Sequence, residues 1–98
     1  MRHYIERKVR KLSDVTKHFS EAIAEMGTEY WQATKRYPPM CSAHEGFAIL
    51  KEEVDELWEE VKKKPSRVDQ EALRQECIQV GAMAIRFYTD VCRGIAGC

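Results

Sequence analysis

Apolar positions along the chain recur at steps of three and four residues, the period of a helix, in three long segments separated by proline and glycine. The first runs from about Tyr4 to Arg36 and sets Val9, Leu12, Phe19, Ile23, Met26 and Tyr30 on that period. Two residues mark points where it can break. Ser13, just before Asp14, has the chemistry of a helix cap, and Gly27 costs up to about 1 kcal/mol relative to alanine inside a helix. The second segment follows Tyr37-Pro38-Pro39 and opens on Ser42-Ala43-His44-Glu45, the S-x-x-E form of a capping box. A helix is expected from about Ala43 to Lys64, with Phe47, Leu50, Val54, Leu57 and Val61 on one stripe and Trp58 beside it. Pro65 ends it, and Lys62, Lys63 and Lys64 lie in its last turn, where positive charge suits the carbonyl end of the helix dipole.

Ser66-Arg67-Val68-Asp69 is a looser capping sequence for a third helix, from about Asp69 to Cys92. Its main apolar face holds Leu73, Cys77, Val80, Ala84, Phe87, Tyr88 and Val91, and Ile78, Ala82 and Ile85 occupy the other side. A helix apolar on nearly all sides is an inner one, packed within its domain and against a partner chain. Nothing alternates at the strand period. The expected fold is all-α: an antiparallel helical hairpin plus an N-terminal helix, assembling into a four-helix-bundle-like oligomer.

Length turns that assembly from an option into an expectation. Ninety-eight residues make one domain, 1–98, with 1–12 as a basic N-terminal extension, and a domain this small buries little more than about 60% of its unfolded surface. Sixteen Lys plus Arg balance sixteen Asp plus Glu, which argues against a nucleic-acid coat. The basic run Arg7-Lys8-Val9-Arg10-Lys11 has no interleaved aromatics, and a solvated helix face explains it as well. No apolar run approaches the roughly 18 residues that span a bilayer, and the N-terminus is charged, so a cytoplasmic protein with no membrane partner is expected. Four cysteines without a CxxC pair argue against a zinc site, and Cys77 and Cys92 fit as small buried hydrophobes.

The zero net charge is a sum of opposites. Residues 1–17 hold Arg2, Arg7, Lys8, Arg10, Lys11 and Lys17 against Glu6 and Asp14, whereas residues 52–60 hold six acids and no base. On the third helix Glu76, Gln79, Met83, Arg86 and Asp90 fall within an arc of roughly 80°. A carboxylate on a buried helix must meet a cation, accept strong hydrogen bonds or take a proton. The second helix offers Glu76 no cation, because its second face carries Glu45, Ile49, Glu53, Glu56 and Glu60. Glu53 and Glu56, at i and i+3, converge and repel unless something positive sits between them. Mg²⁺ suits such oxygen ligands, and two antiparallel helices joined at Pro65 present Glu53 and Glu56 opposite Glu76. The alternative is a solvated acidic face that pairs with the lysines of the same helix or with the basic N-terminus. Periodicity alone weighs the two evenly, and Glu76 tips the balance towards a cation. Glu45 fits its capping role better than a ligand role.

At these residues the chain resembles the all-α nucleoside triphosphate pyrophosphatases, the MazG-like group, whose signature is EExxE, a gap, then ExxD on two helices. Glu52-Glu53-Val54-Asp55-Glu56 matches the first half, and after nineteen residues Glu76-Cys77-Ile78-Gln79 matches the second. The likeness covers roughly residues 43–92, with 13–37 as the preceding helix. It implies Mg²⁺-dependent hydrolysis of a nucleoside triphosphate to the monophosphate and pyrophosphate, a nucleotide-pool housekeeping reaction, with Mn²⁺ as a substitute ion. It also implies a homodimer or a homotetramer. Glu53, Glu56, Glu76 and Gln79 would hold the metal, Glu52 and Glu53 would serve catalysis, and Glu52, the free acid, would act as base or outer-shell partner. Arg86 would meet phosphate oxygens, against the competing reading of a salt bridge to Asp90 at i+4. Tyr30, Trp31 and Trp58 would stack on a base, although aromatics at helical spacing are more often core. Gln79 departs from the pattern: it keeps a carbonyl oxygen and loses a charge, and Asp90 lies about 16 Å too far along the helix to replace it. The departure leaves a second reading open, a catalytically weakened or inactive helical oligomerisation or regulatory module that binds metal or nucleotide.

Overall fold

A computed structural model of the chain describes residues 9–94. It contains three helices: α1 (Leu12–Arg36), α2 (Ala43–Val61) and α3 (Gln70–Phe87). A 3₁₀ turn, Pro65–Arg67, precedes α3, and one turn of π-helix, Tyr88–Cys92, continues it. No strand occurs among the described residues, and no described helix is long and apolar enough to cross a membrane.

α1 starts at Leu12, not Tyr4; residues 9–11 are not helical, and the first part of the expected segment lies outside the described residues. Ser13 sits inside the helix, whose N-cap, Lys11, makes no side-chain cap. Gly27 does not interrupt the 25-residue helix. One continuous stripe, Leu12, Val15, Phe19, Ile23, Met26, Tyr30 and Ala33, carries the helix through it. Tyr37 then turns extended (φ −125°, ψ 146°), the conformation that a following proline enforces.

The Ser42 hydroxyl caps α2 as expected, accepting the Glu45 N–H at 3.0 Å. The Glu45 carboxylate reaches one residue further back than in the usual box and accepts the Cys41 N–H at 2.6 Å. α2 stops at Val61 rather than Lys64, and the lysines beyond it fold back: Lys62 pairs with Glu59 at 3.0 Å and Lys63 with Glu60 at 2.8 Å. Asp69, not Ser66, caps α3, its carboxylate accepting the Glu71 and Ala72 N–H groups at 2.9 and 3.2 Å. Ser66 is taken up by the 3₁₀ turn that Pro65 opens.

α3 lies between the other two helices, as its all-round apolar character implies. α2 runs antiparallel to it. α1 runs parallel to it, with an ion pair from Glu25 to Arg74, Met26 against Gly81, and the Tyr30 hydroxyl donating to Thr89 Oγ1 at 3.4 Å. The buried apolar residues are Ala33, Met40, Ile78, Ala82 and Met83.

The faces turned inward overlap only in part with those the periodicity favours: Leu50, Phe87 and Val91 of the expected stripes pack against the core, and Leu57 is half-buried. α3 buries Ile78, Ala82, Met83 and Arg86, while Cys77, Ala84 and Tyr88 are exposed and Leu73 and Val80 half-buried. Cys92 is exposed as well, so neither cysteine is the buried hydrophobe expected. α2 turns Gly46, Ile49, Leu50, Glu53, Leu57 and Glu60 inward and leaves Phe47, Val54, Trp58 and Val61 exposed. Close approach at small residues accounts for this choice. A Cβ on Gly81 would lie 2.3 Å from Met26 Sδ, and one on Gly46 would lie 2.8 Å from Phe87 Cδ2. The first half of the α1 stripe is uncovered too: Leu12, Val15, Phe19 and Ile23 are all exposed.

Gly46 yields a direct test. An alanine there would bring a methyl group against the Phe87 ring and within 3.2 Å of Met40 Sδ. Overpacking of this kind costs about 1–3 kcal/mol, offset by up to about 1 kcal/mol of helix propensity. Gly46→Ala is expected to lower stability by up to about 2 kcal/mol in urea denaturation, whereas Gly27→Ala, where a Cβ meets nothing within 4 Å, is expected to raise it by up to about 1 kcal/mol.

Candidate metal centre

Antiparallel packing of α2 on α3 brings together carboxylates that lie twenty and more residues apart in sequence. Glu53 and Glu56, one turn apart on α2, face Glu76 near the start of α3, and one oxygen from each of the three lies within 4.8 Å of the others. Glu53 and Glu76 are half-buried and Glu56 is exposed. Burial raises the Glu53 pKa above the usual carboxylate range, and the negative charges of Glu56, Glu76, Glu52 and Glu29 raise it further. The Glu76 pKa is raised in the same way, by burial first and then by Glu56 and Glu60.

The bases near this cluster are committed elsewhere. Lys51 pairs with Asp55, Lys62 with Glu59, Lys63 with Glu60, and Arg74 with Glu25 and Glu71. The solvated-face reading therefore describes Asp55, Glu59 and Glu60. Among the described residues it leaves Glu53, Glu56 and Glu76 without an ion pair. Three converging carboxylates with no cation suit a hard divalent ion in charge and in ligand type. In an octahedral Mg²⁺ shell at about 2.0–2.1 Å, opposite oxygens lie about 4.2 Å apart and adjacent ones about 2.9 Å, so direct ligation of one ion by all three carboxylates would draw them together by up to about 2 Å.

The cluster borders a cleft of about 490 Å³ between the three helices. Glu52, Glu53, Gln79 and Arg86 all line it, so the residues singled out for metal, catalysis and phosphate lie in the cleft or in the adjoining cluster, whereas the aromatic candidates do not. Glu52 is the exposed acid of the set. Gln79 lies one turn beyond Glu76 on the same side of α3. Arg86 is only 3% exposed, and its Nη2 donates to the Pro38 carbonyl at 2.6 Å and lies 3.8 Å from Asp90 Oδ2. Asp90 in turn accepts the Met40 N–H at 3.0 Å. The salt bridge competing with the phosphate role is thus formed, and it ties the α1–α2 linker to α3.

Trp31 and Trp58 are neither core nor cleft residues: both are more than half exposed, and Tyr30 meets Trp31 edge to face, with ring centres 6.3 Å apart. The aromatic side chain in the cleft is Tyr37. The sequence reading also missed Glu29 and Arg36, which line the same cleft from α1. A signal for them existed, since Glu25, Glu29 and Arg36 lie within roughly 40° of one another beside the apolar stripe of α1. Comparison with known proteins gives no matching family model, curated protein or solved structure.

Proposed function

We propose that the protein is a Mg²⁺-dependent nucleoside triphosphate pyrophosphohydrolase, releasing the monophosphate and pyrophosphate, and that it works in the cytoplasm as a homo-oligomer with a four-helix-bundle-like core. The observation that carries this reading is the convergence of Glu53, Glu56 and Glu76, from two helices and without a paired base, beside a cleft large enough for a nucleotide. The likeness of 52–56 and 76–79 to the MazG-like signature supports it. Bound by these residues, Mg²⁺ (or Mn²⁺) would neutralise charge on the phosphate oxygens and orient a water for in-line attack. Glu52, in the cleft and free, is placed to take the proton of that water. The Gln79 carbonyl would add a neutral fourth oxygen, and Arg86, which lines the cleft, would meet the phosphate oxygens.

A specific observation favours the second reading, a weakened or inactive module that binds metal or nucleotide. Gln79 stands where the pattern has an acid, and Arg86 is already engaged with Pro38 and Asp90. One assay separates the two. The common nucleoside triphosphates, ribo and deoxy, are incubated with Mg²⁺, and pyrophosphate is measured against orthophosphate. Pyrophosphate release supports hydrolysis, and its absence with every nucleotide supports the module. Under either reading, Gln79→Asp is expected to tighten Mg²⁺ binding by roughly an order of magnitude in calorimetry, because ligand charge count sets affinity at such sites. No change would mean that position 79 is not a ligand.

A further inference from the structure

The cleft is polarised along its length. Glu52, Glu53 and Gln79 line one end, beside the three-carboxylate cluster, and Arg36 and Arg86 line the other. Both walls of the hairpin fix that separation. On α3, Arg86 stands seven residues beyond Gln79, about 10 Å along the axis, and on α2 Glu45, beside the linker, stands the same distance before Glu52. Arg36 is two residues from Pro38, whose carbonyl accepts from Arg86 Nη2 at 2.6 Å, so the two Cα atoms of Arg36 and Pro38 lie within about 7 Å of each other.

The two cations at the linker end are unequal. Arg86 is buried, donates to Pro38 and lies 3.8 Å from Asp90, so its charge is already answered. Arg36 is exposed, and among the described residues it makes no ion pair and no side-chain hydrogen bond. The carboxylate at the same end, Glu45, accepts the Cys41 N–H instead. A place in the last turn of α1 suits any cation through the helix dipole, but Lys35 shares that turn and lies outside the cleft.

We infer that Arg36 binds the outer phosphates of the nucleotide, the part that leaves as pyrophosphate. The assignment rests on the nucleotide reading of the cleft and adds to it a residue outside the signature. Carboxylates outnumber guanidinium groups in the lining, with Glu29, Glu45, Glu52 and Glu53 against Arg36 and Arg86, so a polyanion enters against the local field unless uncommitted positive charge awaits it. Arg36 is that charge, and its planar fork offers two parallel N–H donors to one phosphate. The reverse placement, with the nucleoside at the linker end, sets an unpaired guanidinium against an uncharged base or sugar and leaves the outer phosphates among carboxylates.

Pyrophosphate is the probe, because it carries the proposed contact without base or sugar. Titrated calorimetrically in saturating Mg²⁺, it is expected to bind Arg36→Met roughly tenfold more weakly than wild type, the low end for a hydrogen bond to a charged group, with Arg36→Lys between the two. Lys35→Met removes the same charge from the same turn outside the cleft and is expected to match wild type. Mg²⁺ alone is expected to bind all of these proteins alike. Both side chains are exposed, so each variant keeps its helical circular dichroism. The inference is overturned by a wild-type chain that does not bind pyrophosphate, by equal binding to Arg36→Met, by an equal loss in Lys35→Met, or by a parallel loss of Mg²⁺ affinity in Arg36→Met. Hydrolysis is read separately. A chain that binds pyrophosphate through Arg36 but releases none from any nucleotide keeps this inference and loses the enzyme reading. A chain that releases pyrophosphate, and whose Arg36→Met variant binds it as wild type does, keeps the enzyme reading and loses this inference.

Discussion

Glu53→Gln is expected to raise the melting temperature of the metal-free protein at neutral pH and, in the same variant, to lower Mg²⁺-dependent pyrophosphate release by roughly a hundredfold or more. The two effects have one cause. Burial, with Glu56, Glu76, Glu52 and Glu29 adding to it, lifts the Glu53 pKa above its usual 4.5, so the folded chain holds this proton more tightly than the unfolded one. The stability this group contributes is therefore complete below 4.5 and is lost as pH rises through the raised folded value. At neutral pH the wild-type chain carries a repulsion that glutamine removes. Under the proposed reading Mg²⁺ would relieve the same repulsion by binding, so it should raise the wild-type melting temperature and do less for the variant. Calorimetric scans at pH 4 and 7.5, with and without Mg²⁺, read all four states. A variant less stable than wild type at pH 7.5 without metal would mean that Glu53 is satisfied as it stands, and the case for a cation would fall.

Arg86→Met is expected to cost about 3–5 kcal/mol, the largest stability loss of any single substitution considered. It removes the donor to the Pro38 carbonyl and leaves the Asp90 carboxylate, in a side chain only 19% exposed, without its cation. Breaking one partner of a buried pair is costly for that reason, whatever the net worth of the intact pair. Arg86→Lys should recover less than half of the loss, because a shorter side chain ending in an ammonium is poorly placed to keep the donation to the Pro38 carbonyl beside Asp90. Urea denaturation gives the magnitude. Limited proteolysis gives the location, with faster cleavage in the 37–42 linker than elsewhere. A loss below about 1 kcal/mol would return Arg86 to a role confined to the cleft.

The helices were legible because their stops and starts are chemical. Ser42 and Pro65 act within a few residues of themselves: Ser42 caps α2 as expected, whereas α2 ends at Val61, ahead of Pro65, which opens the 3₁₀ turn. The meeting of Glu53 and Glu56 with Glu76 was legible too, since an antiparallel hairpin of known turn position fixes which residues oppose. Which side of α2 and α3 faces inward was not. Period alone makes Phe47, Leu50, Val54, Leu57 and Val61 the buried stripe, with Trp58 beside it, yet only Leu50 and Leu57 of these are half-buried and the rest are exposed. Close approach decides that point: Gly46 against Phe87 and Gly81 against Met26 turn α2 and α3 so that their smallest residues meet their neighbours. Arg86 was legible as a member of the acid stripe, but its tie to Pro38 was not, because 48 residues separate the two and no periodic signal links a linker carbonyl to a helix.

The hydrogen bond from the Met40 amide to Asp90 spans 50 residues and ends on the first part of the π turn. It gives the amide of a short extended linker a lifetime set by the far end of α3. In hydrogen exchange, Met40 should therefore be protected well beyond its solvent-exposed neighbour Ser42, and it should open together with the amides of residues 88–92 rather than with those of α2. One backbone proton thus acts as a clock for the fraying of the C-terminal turn. Any event that loosens that turn would be seen first at a residue half the chain away.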